Sequence, residues 1–175
     1  MRIILAFAAG LVSAAGLVSA AGLTSAAALA APPARTVTPL RTVPPGAAIA
    51  TSVALPPGAR LIYVSGQVPG IADTAAPEGS VARFGDTHAQ ARSVFAKLEA
   101  ALVARGMGLG DIVMLRVFLV APPGAARMDF AGMSRAYAER FGTAAQPNRP
   151  ARSTMQVAGL VDPGWLVEIE ATAAK

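Results

Sequence analysis

The stretch from Asn148 to Ala173 constrains the fold more than any other part of the chain, because it reads as strand, turn and strand. Ser153 to Ala158 favours extended backbone, and Asp162-Pro163-Gly164 is turn chemistry. From Trp165 to Ala173 the residues alternate, so Val167 and Ile169 face one way while Glu168 and Glu170 face the other. Arg152 opens the first of the two strands. Carboxylates on one strand face beside an arginine fork suit a small anionic substrate and a water aimed at it. The same pattern also fits a surface salt bridge on an ordinary hairpin.

The rest of the chain supplies partners for that segment. Ala47 to Ala54 and Arg60 to Val64 are strand candidates separated by Leu55-Pro56-Pro57-Gly58-Ala59, a hairpin with a long turn. Ser65-Gly66-Gln67 ends the second strand where a ligand could meet backbone, although Gly66 equally suits a simple turn. Ile71 to Gly85 is polar and reads as a loop. Asp86 or Thr87 then caps a helix running to about Arg105, with an apolar stripe of Ala91, Val94, Phe95, Leu98, Ala101 and Leu102. Asp111 to Val120 is nearly all apolar, as a central strand is, and the strand-helix-strand order predicts a crossover with parallel strands. Phe130, Met133, Tyr137 and Phe141 mark a second amphipathic helix closed by Gly142. The expected order is β-β-α-β-α-β-β, an α+β fold in which two helices cover one face of a mixed sheet. Apolar residues on both strand faces imply that the other face is covered too, most simply by another copy of the chain.

The N-terminal part is different in kind. Residues 1–30 carry one early charge, Arg2, and then a small-residue and apolar run with three near-copies of a six-residue unit beginning at Ala9, Ala15 and Ala21. Ala28-Leu29-Ala30 satisfies a signal peptidase, which predicts a signal peptide over 1–30 and a periplasmic or secreted protein. An uncleaved membrane anchor is the alternative, since the run is long enough to span a bilayer. Pro32-Pro33, Pro39 and Pro44-Pro45 make 31–45 a proline-rich linker or arm, leaving 46–175 as the folded domain.

Composition narrows the chemistry. The chain has no cysteine, which removes disulfides, thiol nucleophiles and thiolate metal sites. Its one histidine, His88, offers neither a metal cluster nor a Ser-His-Asp triad and reads as a solvated residue in a first helical turn. The net charge of +5 comes chiefly from scattered arginines without a basic run or RNP-like motif, so nucleic acid is not an expected partner.

Pro150-Ala151-Arg152-Ser153 with Val157 and Leu160, followed by Val167-Glu168-Ile169-Glu170-Ala171, resembles the signature of the Rid (reactive intermediate deaminase, YjgF-type) family. The likeness runs from about Ala59 to Ala173 through Val64-Ser65-Gly66-Gln67-Val68-Pro69, Gln90-Ala91 and Gly110-Asp111-Ile112-Val113. It implies a chorismate-mutase-like fold assembled as a homotrimer with sites in the clefts between subunits. It also implies hydrolysis of enamine and imine intermediates (2-imino acids) to 2-keto acids and ammonia, with no metal, nucleotide or flavin cofactor. On that resemblance Arg152 clamps the substrate carboxylate, Glu168 positions water, and Ser65 with Gly66 lies beside the ligand. Thr154 stands where the family commonly has a pocket cysteine, and Ser134 where it commonly has asparagine. The family tyrosine of the first strand has no counterpart near Thr51 and Ser52. Those departures and the predicted export leave two other readings, a non-catalytic binder of small carboxylates and a ribonuclease.

The N-terminal reading has a direct check. Mass spectrometry of the chain recovered from outside the cytoplasm should find a mature N-terminus at Ala31. Intact residues 1–30 on membrane-bound material would overturn it.

Overall fold

The computed structural model describes residues 38–175. The expected signal peptide and most of the expected arm therefore lie outside the described residues. A four-stranded sheet carries the fold, built from β3 (Leu61–Gln67), β4 (Ile112–Leu119), β5 (Ala151–Gln156) and β6 (Val167–Ala174). Its spatial order is β3-β6-β4-β5, with β6 antiparallel to both β3 and β4, and β4 parallel to β5. β1 (Leu40–Thr42) and β2 (Ser52–Ala54) form a separate two-stranded sheet.

The expected elements occur in the expected order, with one strand (β1) and one short helix (α1) added, and the mixed sheet and the α+β class hold. The pairing differs in two places. First, the segments around Arg152 and Glu168 are not a hairpin, because β4 lies between β5 and β6. The nearly all-apolar β4 hydrogen-bonds strands on both sides and buries Leu115, Val117 and Leu119, which a hairpin of β5 on β6 would displace. Second, β2 pairs with β1 rather than with β3. The arm thus becomes ordered structure at its C-terminal end. Arg41 holds that small sheet in place, donating to the carbonyls of Gly110 at 2.8 Å and Ile112 at 3.2 Å, while Ala50 N donates to Pro150 O at 3.0 Å. β3 and β4 do run in the same direction, with β6 between them.

Two helices cover one face. α1 (Val81–Phe84) is a short helix inside the segment expected to be loop throughout, and α2 (Thr87–Val103) follows it. Asp86 caps α2 by accepting from Ala89 N at 2.8 Å. Val94, Phe95, Leu98 and Leu102 are fully buried, as the helical spacing requires. α3 (Phe130–Ala138) is capped by Asp129, which accepts from Gly132 N at 2.8 Å, and it buries Met133, Ala136 and Tyr137. His88 is not simply solvated: its Nε2 lies 2.8 Å from Glu139 Oε1, joining the start of α2 to the end of α3.

Strand alternation then sorts the side chains. Leu115, Val117, Ile169, Ala171 and Ala173 belong to the core under the helices. The opposite face carries Leu61, Tyr63, Arg116, Glu168, Glu170 and Met155, and Tyr63 is 77% exposed there.

The start of β6 depends on one buried side chain. Gln90, fully buried on α2, donates from Nε2 to the carbonyls of Gly85 and Gly164, both at 2.9 Å, and accepts from Leu166 N at 2.7 Å. Gln90→Leu leaves these backbone groups without their partner. It should lower the free energy of unfolding by about 3 kcal/mol, read as a fall in the urea midpoint.

Candidate functional site

Two groups of the expected site residues are brought together, and the chain keeps them apart. The first lies where β5 meets α3. Arg152 pairs in register with Leu115, so its side chain is on the helix-covered face, and Thr154, two residues on, shares that face. Phe130, Met133, Ser134 and Tyr137 follow helical spacing along one side of α3. The Arg152 guanidinium lies 4.5 Å from the Tyr137 ring centroid and 5.7 Å from that of Phe130, over both faces. Its one described hydrogen bond goes to Met133 Sδ at 3.9 Å, a weak thioether acceptor.

Three of the six buried side-chain polar atoms without a hydrogen-bond partner among the described residues lie in this group. Arg152 is half-buried and has no carboxylate partner among the described residues. Beside it Tyr137 Oη, Ser134 Oγ and Thr154 Oγ1 are buried without a hydrogen-bond partner. Buried polar atoms in a folded protein are nearly always paired, so hydroxyls left over beside an unpaired cation are free to take an acceptor-rich group. Burial makes the Arg152 cation harder to keep charged, and Tyr137 opposes that shift. Burial also pushes the Tyr137 phenol up to about 12, against the pull of Arg152 and Arg149.

The second group lies at the other side of the sheet. Ser65 and Gly66 sit where β3 departs from regular pairing with β6, between Val64 and Gln67. A side chain on Gly66 would collide with the Glu168 carboxyl group, so glycine is what lets Glu168 lie against the β3 backbone. Glu168 pairs in register with Phe118 and points to the face opposite the helices. Ser65 opens into a concavity of about 190 Å³ on that face, lined also by Tyr63, Met114, Arg116, Glu170 and Thr172. The concavity includes neither Arg152 nor Glu168.

The arginine that meets a β6 carboxylate is Arg116. It lies directly across from Glu170 and donates to it at 2.8 Å. Arg152 and Glu168 belong to strands separated by β4, in different registers and on opposite faces. Within one chain they do not form one cleft. Among the described residues no cluster of three or more His, Asp or Glu side chains is placed to hold a metal.

Tyr137 and Phe130 were legible only as core stripe. Phe130 is 46% exposed, which helical periodicity does not foretell. The available signal was an aromatic pair at i and i+7 on a helix leading into an arginine-opened strand.

The chain matches the family model described as Endoribonuclease L-PSP over residues 45–175. A RutC family protein of Pyrococcus horikoshii is 34% identical over 114 residues, covering 65% of this chain and 79% of that protein. A conserved Rid family protein of unknown function from Yersinia pestis superposes with a TM-score of 0.56 at 27% identity, covering 73% of this chain and 87% of its own. TdcF of Escherichia coli, solved with bound serine, gives a TM-score of 0.51 at 31% identity, covering 66% of this chain and 80% of its own.

The raised Tyr137 phenol has a consequence for stability. The folded chain keeps a proton there that the unfolded chain releases near the ordinary tyrosine value of 10.0, so the contribution is complete below that pH and disappears as pH rises towards about 12. Absorbance titration of wild type minus Tyr137→Phe should isolate a transition near 12. Arg152→Gln should move that transition higher still, because a neighbouring cation is lost.

Proposed function

The chain belongs to the endoribonuclease L-PSP family, the Rid family of its solved relatives, and from that premise we propose that it hydrolyses short 2-imino acids to 2-keto acids and ammonia. The observation that carries this reading is the half-buried Arg152 without a carboxylate partner among the described residues, beside the unpaired hydroxyls of Ser134, Tyr137 and Thr154. A planar guanidinium fork in such surroundings suits a substrate carboxylate better than an ammonium would.

The chemistry asks little of the protein. A protonated imine carbon is already electrophilic, so holding the carboxylate and aiming one water does most of the work. Glu168, held against Gly66, orients the water and takes its proton. A carbon–oxygen bond forms at the imine carbon, the nitrogen gains the proton, and the carbon–nitrogen bond breaks as the new hydroxyl gives its remaining proton to Glu168 and becomes the carbonyl. The 2-keto acid and ammonia leave. Ser65 borders the Glu168 side of the cleft, and Thr154 and Ser134 border the Arg152 side.

These two sides come together only between copies. β5 and β3 are the two edges of the sheet, and Arg152 and Glu168 face opposite ways. A homotrimer with clefts at its subunit boundaries joins one chain's Arg152 to the next chain's Glu168. The exposed Leu61, Tyr63 and Met155 on the open face are the apolar surface such an assembly covers. We place the enzyme outside the cytoplasm on the strength of the apolar N-terminal run.

A second reading, a binder of small carboxylates without turnover, is favoured by the same Arg152 pocket and by the Escherichia coli relative solved with bound serine. Ammonia release from 2-imino acids generated in situ by an amino-acid oxidase separates the two. Release above the spontaneous rate is expected. Binding of the matching 2-keto acid without release would establish the binder instead.

Four further outcomes are expected. Light scattering at micromolar concentration should give a trimer, and a monomer would sink the shared cleft. Arg152→Lys keeps the charge but loses the fork and should raise KM about ten-fold. Glu168→Gln keeps the size but loses the base and should lower kcat about a hundred-fold. Mixed trimers of these two variants should regain activity, because some clefts receive a native Arg152 and a native Glu168.

A further inference from the structure

One side chain around Arg152 is unlike the others. Met133 is fully buried, Tyr137 is 3% exposed, and the hydroxyl oxygens of Ser134 and Thr154 are shut off from solvent. Phe130 is 46% exposed, although its ring centroid lies 5.7 Å from the same guanidinium. Within one chain the group is therefore closed at Met133 and Tyr137 and open to solvent at Phe130. A ligand whose carboxylate meets the Arg152 fork extends outward alongside that ring.

Phe130 is also held in place. Arg152, Thr154 and Gln156 are alternate residues of β5 and share its helix-covered face. Gln156 Oε1 accepts from Met128 N at 2.9 Å, Met128 O accepts from Phe130 N at 3.0 Å, and Asp129 caps α3 between them. The strand that carries the arginine thus fixes the start of the helix that carries the ring. A lone exposed apolar side chain is ordinary on a protein surface. This one is fixed against a half-buried cation that has no carboxylate partner among the described residues, which makes it a prepared apolar wall. Hydrocarbon laid on the ring removes apolar surface from water. A carboxylate or hydroxyl laid there gives up hydration and meets the negative face of the ring instead.

We propose that Phe130 is the specificity-determining residue of the Arg152 pocket. It selects 2-imino acids with a branched aliphatic or aromatic side chain over those with a single methyl group or a polar side chain. The inference rests on the reading of Arg152 as the carboxylate clamp. Arg152 holds the end of the ligand that every 2-imino acid shares, and the Phe130 ring reads the part in which they differ. The reaction stays the same: water adds at the imine carbon and ammonia leaves.

Calorimetric titration of the full chain tests this without turnover, using 4-methyl-2-oxopentanoate and pyruvate as unreactive probes. The two share the 2-oxo acid head and differ only in the apolar side chain. The wild type should bind 4-methyl-2-oxopentanoate about ten-fold more tightly. Phe130→Ala should collapse that preference, lowering 4-methyl-2-oxopentanoate affinity far more than pyruvate affinity. Phe130→Leu, which keeps an apolar wall, should retain most of it. Arg152→Gln should weaken both probes. Equal binding of the two probes by the wild type, or equal losses in Phe130→Ala, would overturn the selection and leave Phe130 as a support for the arginine. Undiminished binding of both probes by Arg152→Gln, or no binding of either by the wild type, would instead overturn the clamp on which the proposed function stands.

Discussion

The hydrogen bonds of Gln90 decide where β6 begins. A buried glutamine side chain can satisfy backbone groups from two directions at once, and here it ties the Gly85 carbonyl, the Gly164 carbonyl and the Leu166 amide to one point on α2. Leu166 is one residue ahead of β6, and Glu168 is the second residue of that strand. The register of β6 against both β3 and β4 therefore starts from a fixed atom. Because a strand's side chains alternate, a slip of one residue would send Glu168 into the core and Ile169 to the open face.

The same register explains why the two groups of site residues are separated. β6 and β4 occupy the centre of the sheet, and β3 and β5 its edges. Arg152 shares its row with the buried Leu115, so it must lie under α3, where aromatic faces and the Met133 thioether receive it. Glu168 shares its row with Phe118 on the open face and rests on a glycine. Each half is specialised by its surroundings, one desolvated and cationic, the other more open and acidic. Bringing them together without unfolding the sheet takes a second copy of the chain.

What a polar side chain does here depends on what else claims it. Glu170, one strand position beyond Ile169, is taken by Arg116 directly opposite. Glu139 is drawn below its ordinary carboxyl value chiefly by the hydrogen bond with His88, with Arg92 and Arg140 adding to it. Those groups are occupied at the surface. The half-buried Arg152 and the hydroxyls of Tyr137, Ser134 and Thr154 are not, and that difference sets them apart from the surface network.

Local patterns in the sequence were enough for all the elements except β1 and α1. Alternation set the faces of Val167 to Ala171, helical spacing set the buried stripe from Ala91 to Leu102, and Asp86 marked the start of α2, since each is settled within a few residues along the chain. The order β-β-α-β-α-β-β and the landmarks around Arg152 and Glu168 were legible for the same reason. Which strands pair was decided by tertiary structure. A turn such as Asp162-Pro163-Gly164 is compatible with a hairpin, but the insertion of β4 between β5 and β6 satisfies backbone groups and buries apolar side chains on a scale no local turn can match. Likewise β2 looked forward to β3 in sequence and paired backward with β1, where Arg41 could bind the carbonyls at the start of β4. The placement of Tyr137 and Phe130 around Arg152 belongs to the same class, because contacts between a helix and a strand distant in sequence leave no periodic trace in either of them.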